Sequence, residues 1–199
     1  MSEIKLIFIR HGEAANAWGN HPDPGLSYKG ILQAKNLIKH NDLQDLKNYS
    51  FISSPKLRAI ETAKPLANRF NKKIELDKSF IEIPAQNIAL DKKQLWLKEI
   101  IDTKKDKLPQ YVKVWNKKIF DASINAKNNS IIFTHFMVIN ALISELTSSE
   151  TLLYFYPDYT SVIQIIIKNQ KIESFLIEGN KKTYICLLYT SPSPRDLRK

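Results

Sequence analysis

Three short runs of this sequence carry the residue types that phosphoryl chemistry uses: Arg10-His11-Gly12, Ser53-Ser54-Pro55 with Arg58 close behind, and Thr134-His135. Each follows an apolar, β-branched stretch: Ile4-Lys5-Leu6-Ile7-Phe8-Ile9, Tyr49-Ser50-Phe51-Ile52-Ser53 and Ser130-Ile131-Ile132-Phe133-Thr134. Such stretches read as strands of a parallel sheet covered on both faces, and in open α/β sheets ligands bind beyond the carboxyl ends of the strands. Three strand ends that are far apart in sequence are therefore expected to converge on one pocket. Arginine usage points to the same place. Only five of the 30 basic residues are Arg, two of those lie in the last five positions, and Arg10 and Arg58 are two of the remaining three. The planar Arg fork binds phosphate oxygens bidentately, which Lys cannot reproduce.

The elements that must position these residues follow from periodicity and capping. After a polar loop from Ala14 to Gly25, Ser27 reads as the N-cap of a helix whose Ile31, Ala34, Leu37 and Ile38 keep helical spacing. Ser54-Pro55 reads as the N-cap and first residue of a second helix running to about Phe70, and Ile74 to Leu76 as a short strand. Between Glu82 and Asn129 the pattern turns helical, with one helix over Lys92 to Ile101 and a longer one carrying Val112, Trp115, Ile119 and Ala122 on one face. A helix with Ile139, Leu142, Ile143 and Leu146 follows His135, and Ser161 to Lys168 with Lys171 to Ile177 form a hairpin around Asn169-Gln170. Alternating strands and helices predict a three-layer α/β/α fold with a mostly parallel sheet and an antiparallel edge.

With 199 residues, 43% of them apolar, the chain is expected to form one domain. One Cys rules out a disulfide scaffold. No apolar run approaches the roughly 18 residues that span a bilayer, and the first residues lack the pattern of a secretory signal, so a soluble cytoplasmic protein that does not bind membranes is expected. The net charge of +10 comes mostly from 25 Lys, without the Arg and aromatic interleaving of a nucleic-acid surface, so no nucleic-acid partner is expected. No His, Cys, Asp or Glu cluster has metal-ligand spacing, and neither a metal nor another cofactor is expected. The oligomeric state is left open. Residues 186–199 break with the rest in composition, and from Cys186 to Asp196 they resemble one translated frame of a transposon-type sequencing adaptor. The expectation is a working domain of residues 1–185 and a non-native tail, without which the chain has 27 basic and 19 acidic residues and no Cys.

Arg10-His11-Gly12-Glu13-Ala14 resembles the RHG motif of the histidine phosphatase superfamily, the phosphoglycerate mutase-like family. Leu26-Ser27-Tyr28-Lys29-Gly30-Ile31-Leu32-Gln33-Ala34 is similar to that family's L-[ST]-x-x-G-x-x-Q-A segment. Ser53-Ser54-Pro55-Lys56-Leu57-Arg58-Ala59-Ile60-Glu61-Thr62-Ala63 resembles its S-S-x-x-x-R-[AT]-x-[EQ]-T-A segment, and Thr134-His135 its second histidine. A lone RHG is weak, whereas four motifs in order at strand ends, over roughly residues 4 to 180, are specific.

The resemblance implies a phosphoglycerate mutase-like fold in which His11 is the nucleophile and forms a phosphohistidine, with Arg10, Arg58 and His135 holding the phosphoryl oxygens. The nitrogen of His11 that does not attack is expected to donate to a backbone carbonyl of the Gly12 loop. Glu82, in Phe80-Ile81-Glu82-Ile83-Pro84, stands where members often carry the acid that protonates the leaving group. Glu13 competes for that part, although its place in the RHG loop suggests a structural one. Glu13, Asn16, Trp18 and Phe136 are candidates for the rest of the substrate pocket. The Asn that commonly follows RHG is here replaced by Ala17, with Asn16 one place earlier. The segment from about 82 to 129 is expected to form a helical cap. Hydrolysis of small, anionic phosphomonoesters is the implied activity; a phosphoglycerate mutase, a protein phosphohistidine phosphatase and a non-catalytic phosphate-binding module are the alternatives.

Overall fold

The apolar runs Ile4–Arg10 (β1) and Ser130–Thr134 (β4) lie side by side and parallel, with Leu6 opposite Ser130 and Arg10 opposite Thr134. Residues 6 to 9 and 131 to 133 are all buried, as both-face coverage of a parallel strand requires. In this computed structural model, which describes residues 3–17, 20–179 and 182–187, these strands form the middle of one sheet. Ser50–Ser53 (β2) pairs parallel with β4, and Ile74–Leu76 (β3) parallel with β2. On the other side Val162–Lys168 (β5), Lys171–Gly179 (β6) and Lys182–Leu187 (β7) add antiparallel strands, giving the order β3-β2-β4-β1-β5-β6-β7. Asn169 and Gln170 take φ of 54° and 58°, the pair of positive values that a tight hairpin turn matched to strand twist needs.

Among the described residues five α-helices cover this sheet: Tyr28–Asn36 (α1), Leu57–Phe70 (α2), Lys93–Asp102 (α3), Gln110–Ile124 (α4) and Phe136–Leu146 (α5). Alternate residues of β1 feed two cores. Ile7 and Ile9 pack with Leu37, Leu66 and Phe133, and Leu6 and Phe8 pack with Trp115, Ile119, Met137 and Leu142. The sheet thus sits between two apolar layers, as the alternation of strands and helices predicted. Among the described residues no helix is long and apolar enough to cross a membrane.

Four details differ from the sequence reading. The buried face of α1 is Gly30 and Ala34, continued by Leu37, whereas Ile31 is 42% exposed. The reason is the close passage of the chain after β1: a Cβ on Gly30 would stand 2.0 Å from the Glu13 carbonyl oxygen, so only a glycine face can turn inward. Second, α2 starts at Leu57, with Lys56 as its N-cap. Asp23, reaching over from the loop before α1, accepts from the Leu57 N–H at 3.2 Å, while the Ser54 hydroxyl accepts from the Lys56 N–H at 3.4 Å and also meets His135. Third, Val112, Trp115 and Ile119 of α4 share a buried face as their spacing predicted, but that face joins the core of α5, and the Trp115 indole N–H donates to the Ile81 carbonyl at 2.9 Å. Its contact with the main core steadies the segment that carries Glu82. Fourth, β7 follows the expected hairpin as a further strand; it runs across the boundary expected at 185/186, and residues 188–199 of the expected tail lie outside the described residues.

Candidate active site

Backbone hydrogen bonds stitch the three strand ends together. The His11 N–H donates to the Thr134 carbonyl at 2.9 Å and the Ser54 N–H to the Phe133 carbonyl at 2.9 Å. His11, Ser54 and His135 are thereby brought together just beyond the sheet, with the two imidazole rings 5.2 Å apart, edge to face.

His11 is 6% exposed, and its Nδ1 lies 2.7 Å from the Gly12 carbonyl oxygen. A carbonyl only accepts, so Nδ1 bears the proton and Nε2 keeps its lone pair. That lone pair accepts from the Arg58 Nε–H at 3.0 Å. Burial, then the Arg58 charge, hold the imidazole pKa down to about 3 despite the Gly12 hydrogen bond, so the ring is neutral. His135 is wholly buried, with Nε2 2.7 Å from the Ser54 hydroxyl; its Nδ1 has no hydrogen-bond partner among the described residues. Burial, helped by the nearby Arg58 charge, keeps its pKa well below the usual histidine value.

The two arginines are held differently. Arg58, in the first turn of α2, is 5% exposed and has one Nη 3.9 Å from Asp23. Arg10 lies between rings, its guanidinium carbon 4.1 Å from the centre of Tyr159 and 5.1 Å from that of Phe136. One Nη donates to the Pro157 carbonyl at 2.6 Å, and the buried Nε has no partner among the described residues. One arginine N–H and one imidazole nitrogen of this group, both buried, thus have hydrogen-bonding capacity that no described residue uses.

Glu82 faces both arginines. Its Oε1 accepts from the Ile83 N–H at 2.9 Å and from the Met137 N–H, at the start of α5, at 3.2 Å. Burial pushes its pKa up, outweighing those hydrogen bonds and the arginine charges. The carboxyl therefore keeps its proton to higher pH than an ordinary Glu.

The structure brings together Arg10, His11, Arg58, Glu82, His135 and Phe136. Glu13 is directed elsewhere: its carboxylate accepts from the Ser27 hydroxyl at 2.8 Å and pairs with Lys29 at 3.3 Å, bracing the start of α1. Asn16 is exposed, and Trp18 lies outside the described residues. His21 and His40 each accept from a backbone N–H two residues ahead, Asp23 and Asp42, as local turn groups. Ser54, in one of the three runs singled out in the sequence, contributes its hydroxyl to His135. Two contributors lie outside those runs: Thr62 accepts from the Gly12 N–H at 3.0 Å, and the loop before β5 supplies Pro157 and Tyr159. The last had a visible signal in Tyr154-Phe155-Tyr156-Pro157-Asp158-Tyr159, four aromatics in six positions.

Fold and site define an α/β protein with two arginines, two histidines and a buried carboxyl gathered at the carboxyl ends of its parallel strands. The sequence profile of the histidine phosphatase superfamily (branch 1) matches residues 6–177, and the chain belongs to that family. A 2,3-bisphosphoglycerate-dependent phosphoglycerate mutase from Thermoplasma acidophilum is 40% identical over 82 residues, 39% of this chain and 40% of that protein, so the similarity spans well under half of that relative. Among solved structures, Bacillus stearothermophilus YhfR superposes with a TM-score of 0.72 at 20% identity, covering 90% of this chain and 98% of that one. Phosphoserine phosphatase from Entamoeba histolytica, in complex with 3-phosphoglyceric acid, gives 0.65 at 24% identity, covering 89% and 98%. Likenesses at these identities carry the fold.

Proposed function

We propose that the protein is a phosphomonoesterase that works through a phosphohistidine at His11. The observation that carries this reading is the neutral imidazole whose Nδ1–H is spent on the Gly12 carbonyl, leaving the Nε2 lone pair turned toward Arg58. An incoming phosphoryl group takes over the Arg58 hydrogen bond and releases that lone pair. Arg10, Arg58 and His135 hold the equatorial oxygens, so the charge that develops in the transition state is met by fixed donors. Nε2 then bonds to phosphorus as the bond to the ester oxygen breaks, and Glu82 gives its proton to the departing alkoxide. Water attacks phosphorus in the second step; its proton returns to the Glu82 carboxylate, and the bond to Nε2 breaks to release inorganic phosphate. Two guanidinium groups supply the positive charge that this scheme needs, and no metal enters it. Rapid-quench labelling tests the reading: wild type should form an acid-labile, base-stable phosphoenzyme, and His11→Ala should lose it together with about 10⁴-fold or more of turnover. A folded wild type with neither phosphoenzyme nor turnover would overturn the proposal.

The partial similarity to a phosphoglycerate mutase supports a second reading, in which the phosphohistidine is passed to an acceptor hydroxyl instead of water. Adding 3-phosphoglycerate to the labelled enzyme separates the two. Inorganic phosphate as the product fits the esterase, and rearranged phosphoglycerate fits the mutase.

A further inference from the structure

The aromatic loop before β5 is built into the site rather than draped over it. Asn140, buried within α5, accepts from the N–H groups of Tyr154 and Phe155 at 2.8 and 2.9 Å and donates to the Phe136 carbonyl at 3.1 Å. A few residues on, the Pro157 carbonyl takes the Arg10 hydrogen bond, and the Thr160 N–H donates to the Arg10 carbonyl at 3.1 Å. The loop is thus pinned at one end to the helix that follows His135 and at the other to the strand that ends in Arg10. Tyr156 lies between these pins.

Tyr156 is 72% exposed, and its ring is 5.8 Å from that of Phe136, which in turn lies on Arg10. Tyr159, against Arg10, has its ring 6.1 Å from that of His11. An aromatic surface therefore runs from the reacting imidazole, past the guanidinium, to a ring open to solvent. Large exposed rings beside a polar pocket are better explained by a ligand than by folding, because leaving them in water gains nothing. The charges on this side select among ligands. Glu82 and Asp158 both act on Arg10, and the cations that act on the two histidines are Arg10, Arg58 and Lys56. Both arginines are committed to the phosphoryl group, and the Lys56 ammonium donates to the Pro22 carbonyl at 3.3 Å. A leaving group with its own carboxylate would meet Asp158, the proton-bearing Glu82 and rings there; a flat, uncharged one would meet rings on a pinned loop, which lowers the ordering cost of stacking.

We propose that Tyr156, backed by Phe136 and Tyr159, determines specificity by stacking on the leaving group, and that the substrates are phosphomonoesters whose alcohol carries an uncharged aromatic ring close to the ester oxygen. This rests on the esterase reading above. Benzyl phosphate and cyclohexylmethyl phosphate test it, since both are esters of primary alcohols that need the same proton and differ in ring flatness. Wild type should prefer the benzyl ester about fivefold to tenfold in kcat/KM, a factor in the range of an aromatic pair. Tyr156→Ala should bring the ratio to within twofold of unity, and Tyr156→Phe should retain the preference. Equal kcat/KM for the two esters in wild type, an unchanged ratio in Tyr156→Ala, or faster turnover of 3-phosphoglycerate than of benzyl phosphate would each overturn it. Calorimetric titration with benzylphosphonate and cyclohexylmethylphosphonate reads the same preference without turnover. An enzyme that hydrolyses no ester but binds the benzyl compound more tightly through Tyr156 would sink the esterase reading and keep the stacking surface; equal binding would sink the surface.

Discussion

The two ends of the parallel strands are both cationic, and they are built in opposite ways. At the carboxyl ends, Arg10 and Arg58 are drawn out of water, one between two rings and on a carbonyl, the other on the Nε2 of His11. At the amino ends, Lys47, Lys72 and Lys127 come from the three segments leading into β2, β3 and β4, and they line an open cavity with Asn48, Asn128 and Glu3. Lys47 and Lys127 are exposed there and Lys72 is half-buried. Ammonium groups on long, solvated stems act through a screened field, whereas guanidinium groups held in a dry pocket act through direct, oriented hydrogen bonds. Number of charges does not make a site; fixed donors without water do.

The sharpest way to break this comparison is to give the carboxyl end the chemistry of the amino end. Arg58→Lys should cost about 10²- to 10³-fold in kcat/KM on p-nitrophenyl phosphate, because a point charge replaces the fork and the hydrogen bond to His11 is lost. A loss under tenfold would mean that charge alone suffices.

Glu82 probes what the dry pocket costs. Glu82→Gln should lower kcat on alkyl phosphates by about 100-fold and on aryl phosphates, whose leaving groups need little protonation, by less than tenfold. In wild type the alkyl rate should fall on the alkaline side as the raised pKa is passed. The same variant should gain thermal stability. A carboxyl whose pKa is raised by folding holds extra protons in the native state, so native stability declines as pH rises from the ordinary carboxylate value through the raised one. Melting temperatures from pH 4 to 8 should show Glu82→Gln pulling ahead of wild type as pH increases. A gap that shrinks with pH would contradict the burial that sets the shift.

The smallest expected effect lies at the other end of the strands. Replacing Lys47, Lys72 and Lys127 together by Gln should change kcat/KM by less than twofold at 0.15 M salt, since charges more than a Debye length of about 8 Å from the reacting group are screened. A larger loss would mean that the amino-end charge steers substrate after all.

Much of this protein is determined by sequence alone. Continuous apolar runs in β1 and β4 imply burial on both faces, and the scarcity of Arg, with the two at strand ends, singles out Arg10 and Arg58. Those signals are local, carried by residue type and a short period. The other features depend on chain segments that meet only in three dimensions. Ser54 has the sequence signature of a helix cap, yet Asp23 accepts from the first N–H of α2 and the Ser54 hydroxyl turns to His135. Ile31 keeps helical spacing with Ala34, yet the chain after β1 presses on Gly30 and turns Ile31 to solvent. Phe136 and Tyr159 flank Arg10, and Tyr156 packs on Phe136, from two elements about twenty positions apart joined through Asn140. Burial, the protonation of His11 and Glu82, and the aromatic surface beside them belong to tertiary structure, because desolvation and stacking depend on what lies across space and not on what lies next in the chain.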